Sequence, residues 1–229
     1  MWFGPVLRWV LARWVRQPAT WLVVPVLAAA WPIVNAIHPL GITTTRRGET
    51  GALYELVFLS ALAATLAGQM LLGRAEPLLV SLGTGRRCGV EFVTHLALGA
   101  LYLLPVLITA WFTQAPRSAF APTRLPLGAI LTLFHLAALA QVLRRLPLPR
   151  SLQATALPLL AWALPALVTA SVMGVDFLAA LDAGRHLELA SERQASGPQR
   201  IGAGLPIIGW TAVGLLMTRP HPHALRRPR

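Results

Sequence analysis

The segment from Gly73 to Gly89, GRAEPLLVSLGTGRRCG, separates two long apolar runs with a short amphipathic sequence. The apolar run before it extends from Gly51 to Leu72, and the run after it from Glu91 to Phe112. Each run is close to the roughly 20 residues that a helix needs to cross the hydrocarbon core of a bilayer. The segment is therefore predicted to be a compact connection at one membrane surface, within reach of a soluble partner.

The composition of the whole chain is that of a polytopic membrane protein. Of its 229 residues, 55% are hydrophobic and 12% are charged, and the mean hydropathy is +0.61. We predict an all-α fold with six transmembrane helices, because a helix satisfies its own backbone hydrogen bonds in lipid. The predicted spans are Ala19 to Ile37, Gly51 to Leu72, Glu91 to Phe112, Leu125 to Leu143, Gln153 to Met173 and Ile201 to Thr218.

Three segments outside these spans complete a single predicted domain over residues 1–229. Residues 1–17, MWFGPVLRWVLARWVRQ, combine Trp with Arg and predict an amphipathic helix lying in the membrane interface. A cleaved secretory signal is the alternative interpretation of this segment. Residues 73–89 form the polar connection described above, and residues 174–200 form a longer outer loop with one or two short helices.

The distribution of arginine predicts the orientation. All 20 basic residues are Arg, and with 8 acidic residues the net charge is +12. With the N-terminus inside, 13 arginines lie on the cytoplasmic side and 7 on the outer side, as the positive-inside rule requires. We predict an integral protein of the bacterial cytoplasmic membrane with both termini in the cytoplasm. Short Arg clusters beside apolar spans fit membrane lipids as partners, and we predict no binding of nucleic acid.

Polar side chains within the spans are candidates for chemistry because they are costly in lipid. Glu55 lies near the outer end of the second span, and Glu91 and His95 share one face of the third. His135 in the fourth span is predicted to lie at the depth of His95. A metal, haem or proton site is one interpretation of Glu91, His95 and His135. Hydrogen bonding between helices is the other, and we predict no metal site and no directly bound cofactor, since these three side chains do not define a metal geometry.

The sequence contains no recognisable catalytic motif. One hypothesis is a hydrolytic site in the outer loop, formed by His186, Glu188, Asp176 and Asp182. No Ser or Cys nucleophile motif accompanies these residues. The sequence also has no glycine-rich loop that would bind a nucleotide. The chain is therefore predicted not to be an enzyme. An intramembrane or outer-face enzyme is an alternative hypothesis.

The order of these features resembles a permease subunit of the type-2 family of ATP-binding-cassette exporters. Such permeases carry a compact cytoplasmic loop after the second span, with a characteristic order of charged residues and leucines. The residues in that order here are Arg74, Glu76, Leu78, Leu79, Leu82 and Arg86. The chain departs from the family pattern at Pro77 and at Gly83 to Gly85, which bear on where the helices begin and end.

The resemblance implies a non-catalytic permease that pairs with a second permease copy or homologue and with cytoplasmic ATP-binding subunits. ATP acts through those partners, and the substrate moved outward is lipid-like, hydrophobic or polymeric. Residues 73–89 would couple the ATPase to the spans, and their leucines and charges at helical spacing predict an apolar ridge with flanking charges. The ridge is Leu78, Leu79 and Leu82, and the flanking charges are Glu76, Arg86 and Arg87.

Two alternatives to this interpretation remain open. In one, residues 73–89 form a short interfacial helix that only covers the bundle. For the chain as a whole, the alternative is a membrane scaffold or anchor subunit of a larger assembly, without a transport path.

Overall fold

The computed structural model describes residues 3–37, 48–82, 84–113, 125–163 and 197–217. Within these ranges the regular structure is helical throughout and contains no strand, which confirms the all-α prediction. A π-helical segment, Leu159–Ala163, continues the seventh helix. The helices are α1 (Phe3–Val15), α2 (Pro18–Ile37), α3 (Gly48–Arg74), α4 (Glu76–Val80), α5 (Thr84–Thr113), α6 (Leu125–Arg145), α7 (Arg150–Pro158) and α8 (Gly197–Met217).

Three of these helices are long and apolar enough to cross a membrane. They are the apolar parts of α3, α5 and α6, at Glu55–Arg74, Gly85–Phe112 and Leu125–Arg145. They overlap the second, third and fourth predicted spans. Helices α2, α7 and α8 overlap the other three, and the count of six spans stays a prediction.

Helices α3, α5 and α6 pack against one another and form the centre of the bundle. Helix α2 lies against α5, and α8 lies against α6. One apolar cluster joins α3, α5, α6 and α7, with Val57, Leu136 and Leu157 among its buried members. A second cluster lies where α1 meets α3, α4 and α5, and it buries Val10 and Trp14 of α1.

Helix α1 has a buried and an exposed side. Val10 and Trp14 pack into the second cluster, whereas Arg8 and Arg13 are exposed. The Arg13 guanidinium lies 5.2 Å from the ring centroid of Trp9, which is a cation–π distance. The location of this helix in the membrane interface stays a prediction.

Glycines allow the central helices to approach closely. A Cβ at Gly68 of α3 would lie 2.8 Å from Cδ2 and 3.2 Å from Nε2 of His95 on α5. A Cβ at Gly99 of α5 would overlap the end of the Leu133 side chain on α6. Small residues at such crossings are typical of membrane helices, which associate through close van der Waals packing.

Buried hydroxyl groups are satisfied within their own helices. Ser60, Thr65, Thr94 and Thr132 each donate to the carbonyl oxygen four residues earlier, at 2.7 to 2.9 Å. These hydroxyls therefore do not need a partner on a neighbouring helix. Amide and charged side chains at one end of the bundle make polar links between helices.

The predicted connection at residues 73–89 is helical over most of its length. Helix α3 continues to Arg74, α4 follows one residue later, and α5 begins at Thr84. Pro77 is the second residue of α4, a position whose N–H would have no partner inside the helix, so proline costs no hydrogen bond there. Gly83 lies outside the described residues. Residues 164–196, which include most of the predicted outer loop, also lie outside them.

We expect Gly68→Ala to lower the free energy of unfolding, because the added methyl group meets the buried His95 ring. Overpacking of this kind costs about 1–3 kcal/mol. Chemical unfolding of the detergent-solubilised chain, followed by tryptophan fluorescence, measures the change. Gly209→Ala is the matched control, since no atom lies within 4 Å of its added Cβ. Equal stability of the two variants would contradict the close crossing of α3 and α5.

Candidate functional site

Five charged side chains meet at the end of the bundle where α3 and α6 end and α5 begins. We call this end the α4 end and the five residues the ionic cluster. One member comes from α4, two from α5 and two from the last turn of α6. The members are Glu76, Arg87, Glu91, Arg144 and Arg145.

Glu91 is the centre of the ionic cluster and its side chain is fully buried. Arg145 holds it with two parallel hydrogen bonds, from Nη2 to Oε2 at 2.5 Å and from Nη1 to Oε1 at 3.2 Å. Arg87 Nε donates to Glu91 Oε1 at 3.1 Å, and Arg144 Nε lies 3.6 Å from the same oxygen. The two-point contact of a guanidinium with a carboxylate fixes the relative positions of α5 and α6.

Glu76 attaches α4 to the same cluster. Its Oε2 accepts a hydrogen bond of 2.5 Å from Arg144 Nη2, and its Oε1 pairs with Arg87 Nη2. A single carboxylate on α4 therefore contacts one arginine from α5 and one from α6. Any displacement of α4 must either move both helices or break these ion pairs.

Two glutamine side chains extend the polar links between the central helices. Gln141 of α6 donates through Nε2 to the Cys88 carbonyl of α5 at 2.9 Å. Gln69 of α3 makes a longer contact of 3.5 Å to the Ala140 carbonyl of α6. Arg144 also reaches the Gln69 carbonyl at 3.4 Å through Nη1. Helices α3, α4, α5 and α6 are thus joined by polar contacts at one end.

The position of the cluster suits the charges that it contains. Arg144 and Arg145 occupy the last turn of α6, where the helix dipole favours positive charge, and Glu76 opens α4, where it favours negative charge. Arg144 and Arg145 have side chains only 6% and 7% exposed. Buried charges of this kind depend on their partners, so the loss of a glutamate would leave arginines uncompensated.

The structure corrects the predicted ridge of three leucines on residues 73–89. Leu79 is fully buried and Leu82 is 9% exposed, and both belong to the apolar cluster under α4. Leu78 is 42% exposed, and Val80, which was not predicted to take part, is 64% exposed. The three leucines differ because α4 is only five residues long and one side of it packs on the bundle. The large apolar side chains exposed on α4 are therefore those of Leu78 and Val80.

The remaining predicted site residues fall into two groups. Arg74 and Arg86 are exposed on either side of α4, and Glu55 is exposed near the start of the apolar part of α3. His95 and His135 are fully buried, and the His95 Nδ1 lies 2.7 Å from the Glu91 carbonyl oxygen within its own helix. Of the predicted residues, the ionic cluster brings together Glu76, Arg87 and Glu91.

No arrangement suited to a metal ion is present in the described residues. There, no three or more His, Cys, Asp and Glu side chains come together in a group that could hold one. The Glu91 carboxylate is already in contact with three arginines. The Glu91 carboxylate therefore has a structural role here, since it holds the side chains of three arginines in place.

Sequence reasoning did not select Arg144 and Arg145 as site residues. Both are among the 13 arginines assigned above to the cytoplasmic side, and paired arginines commonly end a membrane span. A usable signal was present: Glu91 is an acid within a few residues of Arg87 at the same predicted membrane surface, and a buried acid requires nearby cations.

No protein-family model matches this chain, and no curated protein shows significant similarity to it.

We expect Glu91→Gln to lower the free energy of unfolding by about 3–5 kcal/mol, because removing one partner strands buried charges. Denaturant unfolding measures the loss, with Glu55→Gln as the control. Glu55 is exposed and outside the ionic cluster, so its change should stay within about 0.5 kcal/mol.

A double-mutant cycle separates the ion pair from other effects of the substitution. The variant that combines Glu91→Gln with Arg145→Gln should regain part of the stability lost in Glu91→Gln, since it removes one of the stranded cations. Strictly additive losses would show that the two side chains do not interact as the structure indicates.

Proposed function

We propose that this chain is a permease subunit of an ATP-driven exporter and that α4 is its contact with a cytoplasmic ATP-binding subunit. The observation that carries the proposal is the double attachment of Glu76, which links a short helix at the bundle surface to both α5 and α6. The proposal includes the six-span topology, with the α4 end in the cytoplasm. The arginine distribution of the sequence supports that orientation.

The surface of α4 suits contact with a groove on a soluble protein. Leu78 and Val80 present two exposed apolar side chains. The exposed Arg74 precedes them and the exposed Arg86 follows them in the chain, so charges flank the apolar surface on both sides. An amphipathic helix that inserts apolar anchors into a groove, with charges at its rim, is a recurrent mode of peptide recognition.

The underside of α4 suits the transmission of movement to the bundle. Leu79 packs in the apolar cluster that also contains Trp14 of α1, Leu72 of α3 and Leu98 of α5. Glu76 adds ion pairs to α5 and α6. A displacement of α4 by closure of the ATPase subunits would therefore reach α3, α5 and α6 together and could shift the bundle between two arrangements.

The remaining parts of the proposed machine lie in other subunits. ATP binds and is hydrolysed in the partner, and a second permease copy or homologue completes the transport path. The substrate class that we propose is lipid-like, hydrophobic or polymeric. A line of exposed apolar residues along α5 is available to lipid or to the second permease. It consists of Leu101, Leu104, Ile108, Trp111 and Phe112.

We expect Leu78→Asp to abolish co-purification with the proposed ATP-binding subunit, while the chain itself stays folded. The substitution places a charge on the exposed surface of α4 without entering the bundle. Leu152→Asp is the matched control, because Leu152 is 51% exposed on α7 and lies outside α4. The measurement is the yield of ATPase recovered with the tagged permease, together with its rate of ATP hydrolysis.

Leu79→Asp provides a second comparison. It should unfold or destabilise the chain itself, since Leu79 is fully buried. Retention of the ATPase by the Leu78→Asp variant, with unchanged hydrolysis, would contradict the coupling role of α4. Co-purification without substrate-dependent hydrolysis in the native chain would instead favour a scaffold subunit.

A further inference from the structure

A cavity of about 490 Å³, lined by both polar and apolar groups, lies at the α4 end of the bundle, between the end of α3, the end of α6 and the start of α7. Gln69, Arg74, Glu76, Arg144 and Ser151 are among the residues that line it. Arg74 and Glu76 also belong to the α4 region proposed above to contact the ATP-binding subunit, whereas the exposed Leu78 and Val80 do not line the cavity. The lining of the cavity includes arginine and serine side chains, which commonly bind phosphate groups in proteins.

The charge around the cavity is positive. The ionic cluster contains three arginines and two glutamates, so one positive charge is not balanced within it. Both Glu76 oxygens already contact arginines, Arg87 and Arg144. Arg74 forms no ion pair within the part of the chain that the structure describes. The cavity thus offers guanidinium charge that an anion would neutralise, and guanidinium groups match phosphate oxygens in geometry.

Helix α7 adds hydrogen-bond donors to the same cavity. It begins at Arg150, and no side chain caps its N-terminus. The first N–H groups of a helix have no partner inside it, and they favour anions. Ser151, in this first turn, supplies a hydroxyl as well. The Gln153 amide fixes the turn before α7 by donating to the carbonyls of Leu146 and Leu148, at 3.2 and 3.1 Å.

A buried polar group in the lining also lacks a partner. Gln69 is 8% exposed, and its Oε1 accepts no hydrogen bond. Its Nε2 faces the Ala140 carbonyl, so the unpaired atom is the acceptor. A buried acceptor without a donor is costly, and a hydroxyl group on a ligand would satisfy it.

Two apolar side chains in the lining of the cavity are exposed. Met70 and Leu148 line the cavity and are 67% and 38% exposed. Met70 lies on α3, one of the helices long and apolar enough to cross a membrane. A ligand that places a phosphate among the arginines would therefore rest its remaining atoms on an apolar surface. A phospholipid combines a phosphate group with an apolar part in this way.

We propose that this cavity binds the headgroup of an anionic phospholipid, with its phosphate between Arg74, Ser151 and the N-terminus of α7. A headgroup hydroxyl, as in phosphatidylglycerol, donates to Gln69 Oε1. The lipid would fill the space between α3, α6 and α7 at the membrane surface. This binding does not require the ATPase or the transport cycle, so it can be tested on the isolated chain.

The experiment titrates the full chain, in micelles of a neutral detergent, with phosphatidylglycerol and follows binding by native mass spectrometry. Diacylglycerol with the same acyl chains reports binding that does not need the phosphate. Glycerol phosphate reports binding of a soluble phosphate compound. We expect phosphatidylglycerol to bind more tightly than either compound.

Two variants and two matched controls locate the site. Arg74→Gln should weaken phosphatidylglycerol binding about tenfold, as loss of a charge-assisted hydrogen bond predicts. Ser151→Ala should weaken it by a smaller factor of about two to five. Arg86→Gln and Thr155→Ala should leave binding unchanged, because these exposed residues lie outside the cavity. Thermal unfolding verifies that all four variants are folded.

Three results would overturn the proposal. Equal weakening of phosphatidylglycerol binding by Arg74→Gln and Arg86→Gln would show that general surface charge, and not this cavity, attracts the lipid. Equal affinity for diacylglycerol would exclude a role for the phosphate. Equal affinity for glycerol phosphate would identify a soluble phosphate compound, and not a lipid, as the ligand.

Discussion

The structure depends on one buried carboxylate. Glu91 is fully enclosed at the α4 end of the bundle, and three arginines from two helices lie against it. Each charge would be costly to bury alone, so none of these side chains can be placed independently of the others. This mutual requirement fixes how α5 meets α6. Through Glu76, which shares Arg87 and Arg144 with Glu91, it also fixes the position of α4.

The central helices are held together by two kinds of interaction. At the α4 end, ion pairs and glutamine contacts join α3, α4, α5 and α6. The helices also pack closely at small residues, at Gly68 beside Gln69 and at Gly99 in the middle of α5. Directional polar contacts and close packing at small residues therefore act together in the same bundle.

The helices were predictable wherever the length of an apolar run determined them. The runs that became α3, α5 and α6 are evident in the sequence, because lipid imposes a minimum length on a spanning helix. The burial of Leu79 was not predictable from helical spacing alone. Spacing places Leu78, Leu79 and Leu82 close together on a helix, but which side packs inward depends on where α1 and α5 lie.

The ionic cluster was predictable only in part. Glu76 and Arg87 were selected as charges that flank the predicted leucine ridge, and Glu91 as a polar side chain within a predicted span. Arg144 and Arg145 lie more than fifty residues farther along the chain from Glu91. Only the packing of α5 on α6 shows that they complete the same cluster. A pairing between distant residues of this kind is set by tertiary structure, which local sequence patterns do not encode.

The central claim is that Glu76 holds α4 in a fixed position relative to α6. Pulsed electron paramagnetic resonance tests it directly, with spin labels at Val80 of α4 and Ile130 of α6, both exposed, and with the native Cys88 replaced by serine. We expect one narrow distance distribution in this labelled chain and a clearly broader one after Glu76→Gln. An equally narrow distribution with Glu76→Gln would contradict the account, because α4 would then be held without its ion pairs.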